Sequence, residues 1–358
     1  MNDMKSNAII YCEGAFGTTN GKTAHGLVRR SKRYHIISII DSTKAGNDAG
    51  LILDQITKNI PIHASIKEAI AYGIKIKQKP THFIIGLAPD GGRLPNEARK
   101  DIVYAIEQGL HIVSGLHDFL SEDSEFIKKA KEKNINIFDI RKTPPRDKLH
   151  FFSGKIEEVD SLIVAILGTD SAVGKRTTAW CLYDGLTSDG YTVELVGTGQ
   201  TAWLQGACYS IILDSLINDF VSGELEHAVW SAWKDKKPDI ILIEGQGSLL
   251  NPGYPGGFEI LAAGRPDIII LQHAPGRIDY DGFPGYKIQP LEKQIKSIEY
   301  ISEKPVVAIT INHEKYLKDD IQKVCKNIEQ ETGLPCVDVL IDGTKRLISI
   351  LKPYHKKK

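Results

Sequence analysis

Apolar residues in this chain fall in short continuous runs, and the longer stretches between them are rich in Lys and Glu. In the first half, Ala8 to Cys12, His35 to Ile40, His82 to Leu87, Ile112 to Ser114 and Ile135 to Asp139 read as strands. The second half restarts the pattern at Leu162 to Leu167, Thr192 to Val196, Ile240 to Ile243, Ile268 to Leu271 and Val306 to Ile311. Most of these runs lack the alternation of a half-exposed strand and fit parallel strands buried on both faces. Helices between them supply right-handed crossovers. Both halves are therefore predicted to be α/β, with ligands at the carboxyl ends of the strands.

At 358 residues the chain is too long for one ordinary core. The stretch Arg141-Lys-Thr-Pro-Pro-Arg-Asp-Lys-Leu-His150 interrupts all periodicity, and its adjacent prolines and charges mark a linker. The expected division is residues 1–145, a Rossmann-like parallel sheet, and residues 146–358, a P-loop NTPase-like parallel sheet. The first domain opens with a strand, the glycine-rich stretch from Glu13 to Thr23, a helix to about Arg30, and a strand ending in Asp41. That order is Rossmann-like, but the glycine spacing is not G-x-G-x-x-G. A glycine-capped connection explains the Gly14 to Lys22 loop as well as a ligand does.

The strongest chemical signal follows the strand Leu162 to Leu167: Gly168, Thr169, Asp170, Ser171, Ala172, Val173, Gly174, Lys175, Arg176, Thr177. Glycines let backbone N–H groups converge on an anion, the helix N-terminus adds positive potential, and the lysine neutralises phosphate charge. Five residues separate Gly168 from Gly174, one more than in the usual pattern, a departure that resembles dethiobiotin synthetase-like loops. The position after Lys175, normally the Ser or Thr that binds magnesium, is Arg176, which supplies fixed charge but cannot ligate a cation. Thr177 is the nearest substitute hydroxyl. The loop therefore suits a pyrophosphate or 3′-phosphate better than ATP hydrolysis.

Further candidates sit at other strand ends. Glu244, after Asp239 to Ile243, is placed to hold magnesium or orient a nucleophile, to act as a general base, or to cap the next turn. The stretch Gly197 to Gly206 contains Gln200 and Thr201, candidates for binding the acyl or amino partner, unless it is a plain connection. His273 is the histidine best placed for proton transfer, with a buried structural imidazole as the competing reading. Arg277 is a candidate for a bidentate contact to a substrate carboxylate. The segments Asn251 to Gly257 and Asp279 to Gly285 read either as specificity loops or as surface turns.

Composition narrows the partners. Hydrophobic content is 42% and charged content 25%, as in a soluble globular protein, and 45 Lys+Arg balance 45 Asp+Glu. The chain thus carries no overall field attracting nucleic acid or anionic lipid. The one basic run, Lys356-Lys357-Lys358, reads as a solvated terminus. Five scattered cysteines, with no C-x-x-C pair, indicate neither a disulfide framework nor a zinc site, and no metal site is assigned. The start, Met1-Asn-Asp-Met-Lys5, lacks an apolar signal core, and no apolar run reaches membrane-spanning length, so a cytoplasmic location is expected. A homo-oligomer is also expected.

Taken together, the motifs Gly-Thr-Asp-Ser-Ala-Val-Gly-Lys-Arg-Thr-Thr, Gly-Thr-Gly-Gln-Thr, Glu-Gly-Gln-Gly-Ser-Leu and Gln-His-Ala-Pro-Gly-Arg occur in this order. They follow an N-terminal Glu-Gly-x-Phe-Gly-x-x-x-Gly-Lys-Thr-Ala-x-Gly. From about Ala8 to Leu351 the chain resembles a bacterial family long catalogued as a domain of unknown function, whose characterised branch is the DgcN-type D-glutamate N-acetyltransferases. The resemblance implies acetyl transfer from acetyl-CoA to the amine of a D-amino acid, without magnesium, and an enolase-type racemase acting on the product. Lys175 and Arg176 would hold CoA phosphate, Glu244 or His273 would be the base, and Arg277 would hold the substrate carboxylate. An ATP- or GTP-dependent ligase or kinase using magnesium, and a non-catalytic sensor of CoA or nucleotide, are the competing expectations.

Overall fold

The computed structural model describes residues 6–355. The N-terminal stretch 1–5 and the basic run 356–358 singled out above lie outside the described residues. The chain divides into two compact units, Met1–Thr143 with Gln200–Gly206, and Pro144–Gly199 with Ala207–Lys358. The division falls inside the proline-interrupted stretch. It differs from a single cut at residue 145 in assigning seven residues of the second half, 200–206, to the first unit.

The first unit is built on β1 (Ser6–Tyr11), β2 (Tyr34–Ile40), β3 (Ile62–His63), β4 (His82–Ile85), β5 (His111–Ser114) and β6 (Ile137–Asp139). All pairings are parallel, in the order β3-β2-β1-β4-β5-β6. That is the Rossmann order, with its switch point between β1 and β4. Asp41, just past β2, is fully buried and ties the glycine loop down by accepting the Phe16 amide at 2.8 Å, while its other oxygen takes the Thr43 amide at 2.9 Å. The loop amides of Ala15, Thr18 and Gly21 are bonded to loop carbonyls at 2.9–3.1 Å. These three amides thus close on the protein itself.

The helix Gln200–Gln205 docks on the helix Lys22–Arg29 of this unit. Gln205 Nε2 donates to the Gly26 carbonyl at 2.7 Å, and the Arg33 guanidinium lies 3.9 Å over the Trp203 ring.

The second unit carries β7 (Leu162–Gly168), β8 (Val193–Gly197), β9 (Tyr209–Ser210), β10 (Ile240–Glu244), β11 (Ile268–His273), β12 (Val306–Ile311) and β13 (Cys336–Val337). The parallel order is β13-β12-β11-β7-β10-β8-β9, so β7 lies at the centre and is buried along its whole length. Ile163, Ala165, Ile241, Ile243, Ile269 and Leu271 join one continuous core with Leu225 and Val229 of the helix Asn218–Lys236. Every run read as a strand is one, with ends displaced by no more than two residues. The strands β3, β9 and β13 were not expected. Each spans two residues, too few for any period to register. No helix among the described residues is long and apolar enough to cross a membrane.

Candidate functional site

The carboxyl end of β7 turns through Gly168 to Gly174 into the helix Lys175–Ser188. Gly174 has φ 108°, a left-handed conformation that disfavours side chains. Ala172 holds φ 50°, a strain of roughly 1–2 kcal/mol for a non-glycine residue. Thr169, fully buried, is fixed by its amide donating to the Gln272 carbonyl at 2.9 Å. The Ser171 amide is taken by the Asp170 carboxylate at 2.7 Å. The next three amides, of Ala172, Val173 and Gly174, donate to nothing among the described residues. Consecutive unengaged amides at the start of a 14-residue helix are the donor array that binds a phosphate.

Lys175 is 7% exposed, and its Nζ donates to the carbonyls of Asp170 and Gly247, both at 2.7 Å. The ammonium is thereby held beside the loop. Arg176, one residue on, places Nη1 3.9 Å from Oε1 of Glu244 at the end of β10. Glu244 is buried, and its Oε2 accepts the Thr198 amide at 3.1 Å. Burial raises its pKa, opposed by Arg176 and by the Thr198 amide. Thr177 is half-buried in the first turn. Behind it, the Thr178 and Thr310 hydroxyls both donate to Gln272 Oε1, fixing the helix against β11 and β12.

At the end of β11, His273 Nδ1 lies 2.9 Å from the Thr169 hydroxyl. Burial, reinforced by Arg277, pushes its pKa down to about 4. The imidazole is therefore neutral at pH 7 and a weak base. His82 in the first unit is also depressed to about 4, by burial and by His111. A histidine neutral in the fold but protonated when unfolded stabilises fully above its unfolded pKa, near 6.5, and loses that contribution as pH falls towards 4. The thermal unfolding midpoint is therefore expected to fall steadily between pH 6.5 and pH 4, and His273→Gln is expected to flatten this slope. A slope identical in the variant removes His273 from the account.

Arg277 is not available in the role expected of it. Nε and Nη2 donate to the Glu314 carboxylate, Nη1 to Asp170 Oδ2 at 2.9 Å and to the Ser171 carbonyl at 2.7 Å, and Nη2 to the Ala172 carbonyl at 3.1 Å. An arginine has five N–H donors, and all are engaged within the protein. Arg277 is the clamp that holds the strained Ala172 turn, and no donor remains for a substrate carboxylate. Asp170, fully buried, is the complementary hub: it also accepts Asn251 Nδ2 at 2.8 Å and the Asp281 amide at 2.9 Å. Both Gly/Pro-rich segments are thus anchored to the phosphate loop, with Tyr254 and Phe283 in edge contact at 6.3 Å.

Gln200 and Thr201 belong to the first unit, where Gln200 Oε1 accepts from Arg141 at 3.1 Å and the Thr201 hydroxyl pairs with that of Thr23 at 3.1 Å. Asn251 and Asp281 lie in segments flagged by their composition, but nothing in the sequence marked their side chain or amide as ligands of Asp170. Glu314 had no signal at all. Ser248 was also missed: its hydroxyl is buried with no hydrogen-bond partner among the described residues, one position after the carbonyl that receives Lys175.

A family described as a domain of unknown function, the DUF1611 P-loop domain, matches residues 150–348, and its Rossmann-like N-terminal companion matches residues 42–143. The chain belongs to the DUF1611 family. A crystal structure of a DUF1611 protein from Anabaena variabilis superposes with a TM-score of 0.89 at 29% identity, covering 98% of this chain and 100% of that one. Two relatives carry the name D-glutamate N-acetyltransferase. The one from Pseudoalteromonas sp is 31% identical over 294 residues, and the one from Tritonibacter scottomollicae 29% identical over 293. Each alignment spans 80% of this chain and 84% of the relative. The membership read from the motifs is borne out, as is the pairing of a Rossmann-like with a P-loop sheet.

Proposed function

We propose that this DUF1611 protein transfers an acetyl group from acetyl-CoA to the amine of a D-amino acid, D-glutamate being the first acceptor to test. The observation that carries the reading is the approach of Arg176 to Glu244 at 3.9 Å. In magnesium-dependent phosphate-loop enzymes a hydroxyl after the lysine and an acid on the neighbouring strand hold the cation between them. Here a guanidinium stands where that hydroxyl would be and faces the acid. Two relatives named D-glutamate N-acetyltransferase support the same activity.

The residues fit the donor's charged end. The amides of Ala172, Val173 and Gly174, with Lys175 and Arg176, suit a diphosphate or 3′-phosphate. The orphaned Ser248 hydroxyl, costly to bury unpaired at about 1–3 kcal/mol, is a further candidate contact. The aromatic pair Tyr254 and Phe283, on segments tied to Asp170, offers apolar surface for an adenine or a pantetheine chain. An N-acetylated D-amino acid would then be the substrate of an enolase-type racemase in a catabolic route.

Thermal unfolding with acetyl-CoA, CoA, ATP and GTP, each with and without magnesium, tests the assignment. A hundredfold excess over Kd stabilises by about 2.7 kcal/mol, a rise of roughly 5–10 °C. CoA and acetyl-CoA are expected to produce it without magnesium, and a rise with magnesium–ATP alone overturns the reading in favour of a ligase or kinase.

A further inference from the structure

The acetyl-transfer reading raises a geometric difficulty. If the loop holds the phosphates of CoA, the thioester lies at the far end of the pantetheine chain, whereas Glu244 and His273 both abut the loop. Glu244 is also buried against Arg176, and His273 is a weak base.

An acid–imidazole pair lies at the same carboxyl end of the sheet. His313 is two residues past β12, which is separated from β7 by β11 alone, so its strand lies roughly 10 Å from the loop strand. His313 Nδ1 is 2.6 Å from Oδ2 of Asp338, a side chain 1% exposed, while the imidazole is 29% exposed. Nε2 makes no hydrogen bond among the described residues. Both partners are fixed. The Asn312 amide donates to the His273 carbonyl at 2.8 Å, and Asn312 Oδ1 accepts the Glu314 amide at 3.1 Å, setting His313 at the apex of an Asx turn. Asp338 Oδ1 accepts the amides of Leu340 and Ile341, and its own amide is held by Asp342. Glu314, the neighbouring acid, is occupied by Arg277.

We propose that His313, oriented by Asp338, is the general base that deprotonates the acceptor amine. The carboxylate fixes the tautomer with the proton on Nδ1 and the lone pair on Nε2. Nε2 takes one proton from the substrate ammonium, and the freed amine lone pair forms the C–N bond at the thioester carbonyl. Collapse breaks the C–S bond, the nitrogen loses its second proton, the thiolate is protonated, and one net proton passes to solvent. Asp338 is a positioning residue. This proposal rests on the acetyl-transfer reading.

The test is steady-state release of CoA thiol from acetyl-CoA with D-glutamate and a panel of other D-amino acids across pH 6–9, with CoA affinity measured in parallel. His313→Gln is expected to lower kcat about 10²–10⁴-fold and leave CoA affinity unchanged. Asp338→Asn keeps the oxygen that serves the Leu340 and Ile341 amides but turns an NH₂ towards Nδ1. It should fold normally, favour the wrong tautomer and reduce kcat with little change in KM. A His313→Gln enzyme within threefold of the unaltered kcat overturns the base assignment alone, and so does weakened CoA binding with full kcat at saturation. No turnover of any D-amino acid by the unaltered protein overturns the acetyl-transfer reading and the base with it.

Discussion

Arg277→Met is expected to destabilise the protein by about 3–5 kcal/mol, the usual consequence of removing one partner of a buried ion pair. The residue is 8% exposed at its side chain and Asp170 is fully buried, so the remaining carboxylate has no route to water. Asp170 keeps Asn251, the Asp281 amide and the Ser171 amide, but it loses the guanidinium paired with its charge. The carbonyls of Ser171 and Ala172 lose their donors together, at the place where Ala172 sits in the left-handed region. Thermal unfolding should shift down by roughly 10 °C, and the P-loop should lose phosphate ligands because its amides no longer converge. The double variant Asp170→Asn with Arg277→Met should recover part of the loss, since it removes the stranded charge. Little or no loss of stability in the single variant would show that the clamp is a surface pairing after all.

If the loop holds CoA as proposed, Lys175→Met is expected to weaken its binding about 10–150-fold, corresponding to about 1.5–3 kcal/mol for a charge-assisted contact. The same change removes the donor from the carbonyls of Asp170 and Gly247, so a loss of stability of about 1–3 kcal/mol accompanies it. Methionine is close in volume to the lysine stem, which keeps the packing against Gly168 and Gly245. Calorimetric titration with CoA separates the two effects, because affinity and folding are measured independently. An unchanged Kd in a folded variant would place the ligand away from the loop.

The α/β class and every strand longer than two residues were legible because parallel strands buried on both faces are written as continuous apolar runs. β7 shows why: each of its residues from Leu162 to Gly168 is buried, so no position was free to be polar. The phosphate loop was legible for a different reason. Its chemistry depends on consecutive backbone amides entering a helix, and Gly174 followed by Lys175 specifies that local conformation within a few residues. Asp41 was legible as a strand-ending acid, and its carboxylate holds the loop above it by accepting the amide of Phe16.

What each charged side chain does was decided at long range. Arg277 reads identically in sequence whether it binds a substrate carboxylate or clamps a loop; the choice depends on Glu314, Asp170 and the Ser171 and Ala172 carbonyls, which stand 37 to 107 positions away. Gln200 and Thr201 follow a strand of the second sheet yet pack with the first unit, because Gln205 finds the Gly26 carbonyl and Trp203 finds Arg33 and Phe138. His313 and Asp338 carry no motif, and they meet only because β12 and β13 are adjacent in the sheet. The local chain thus determined the elements and the phosphate loop, whose hydrogen bonds close within a few residues. The tertiary structure alone decided the pairing of charges, since a carboxylate or guanidinium takes its role from whichever partner shares its burial.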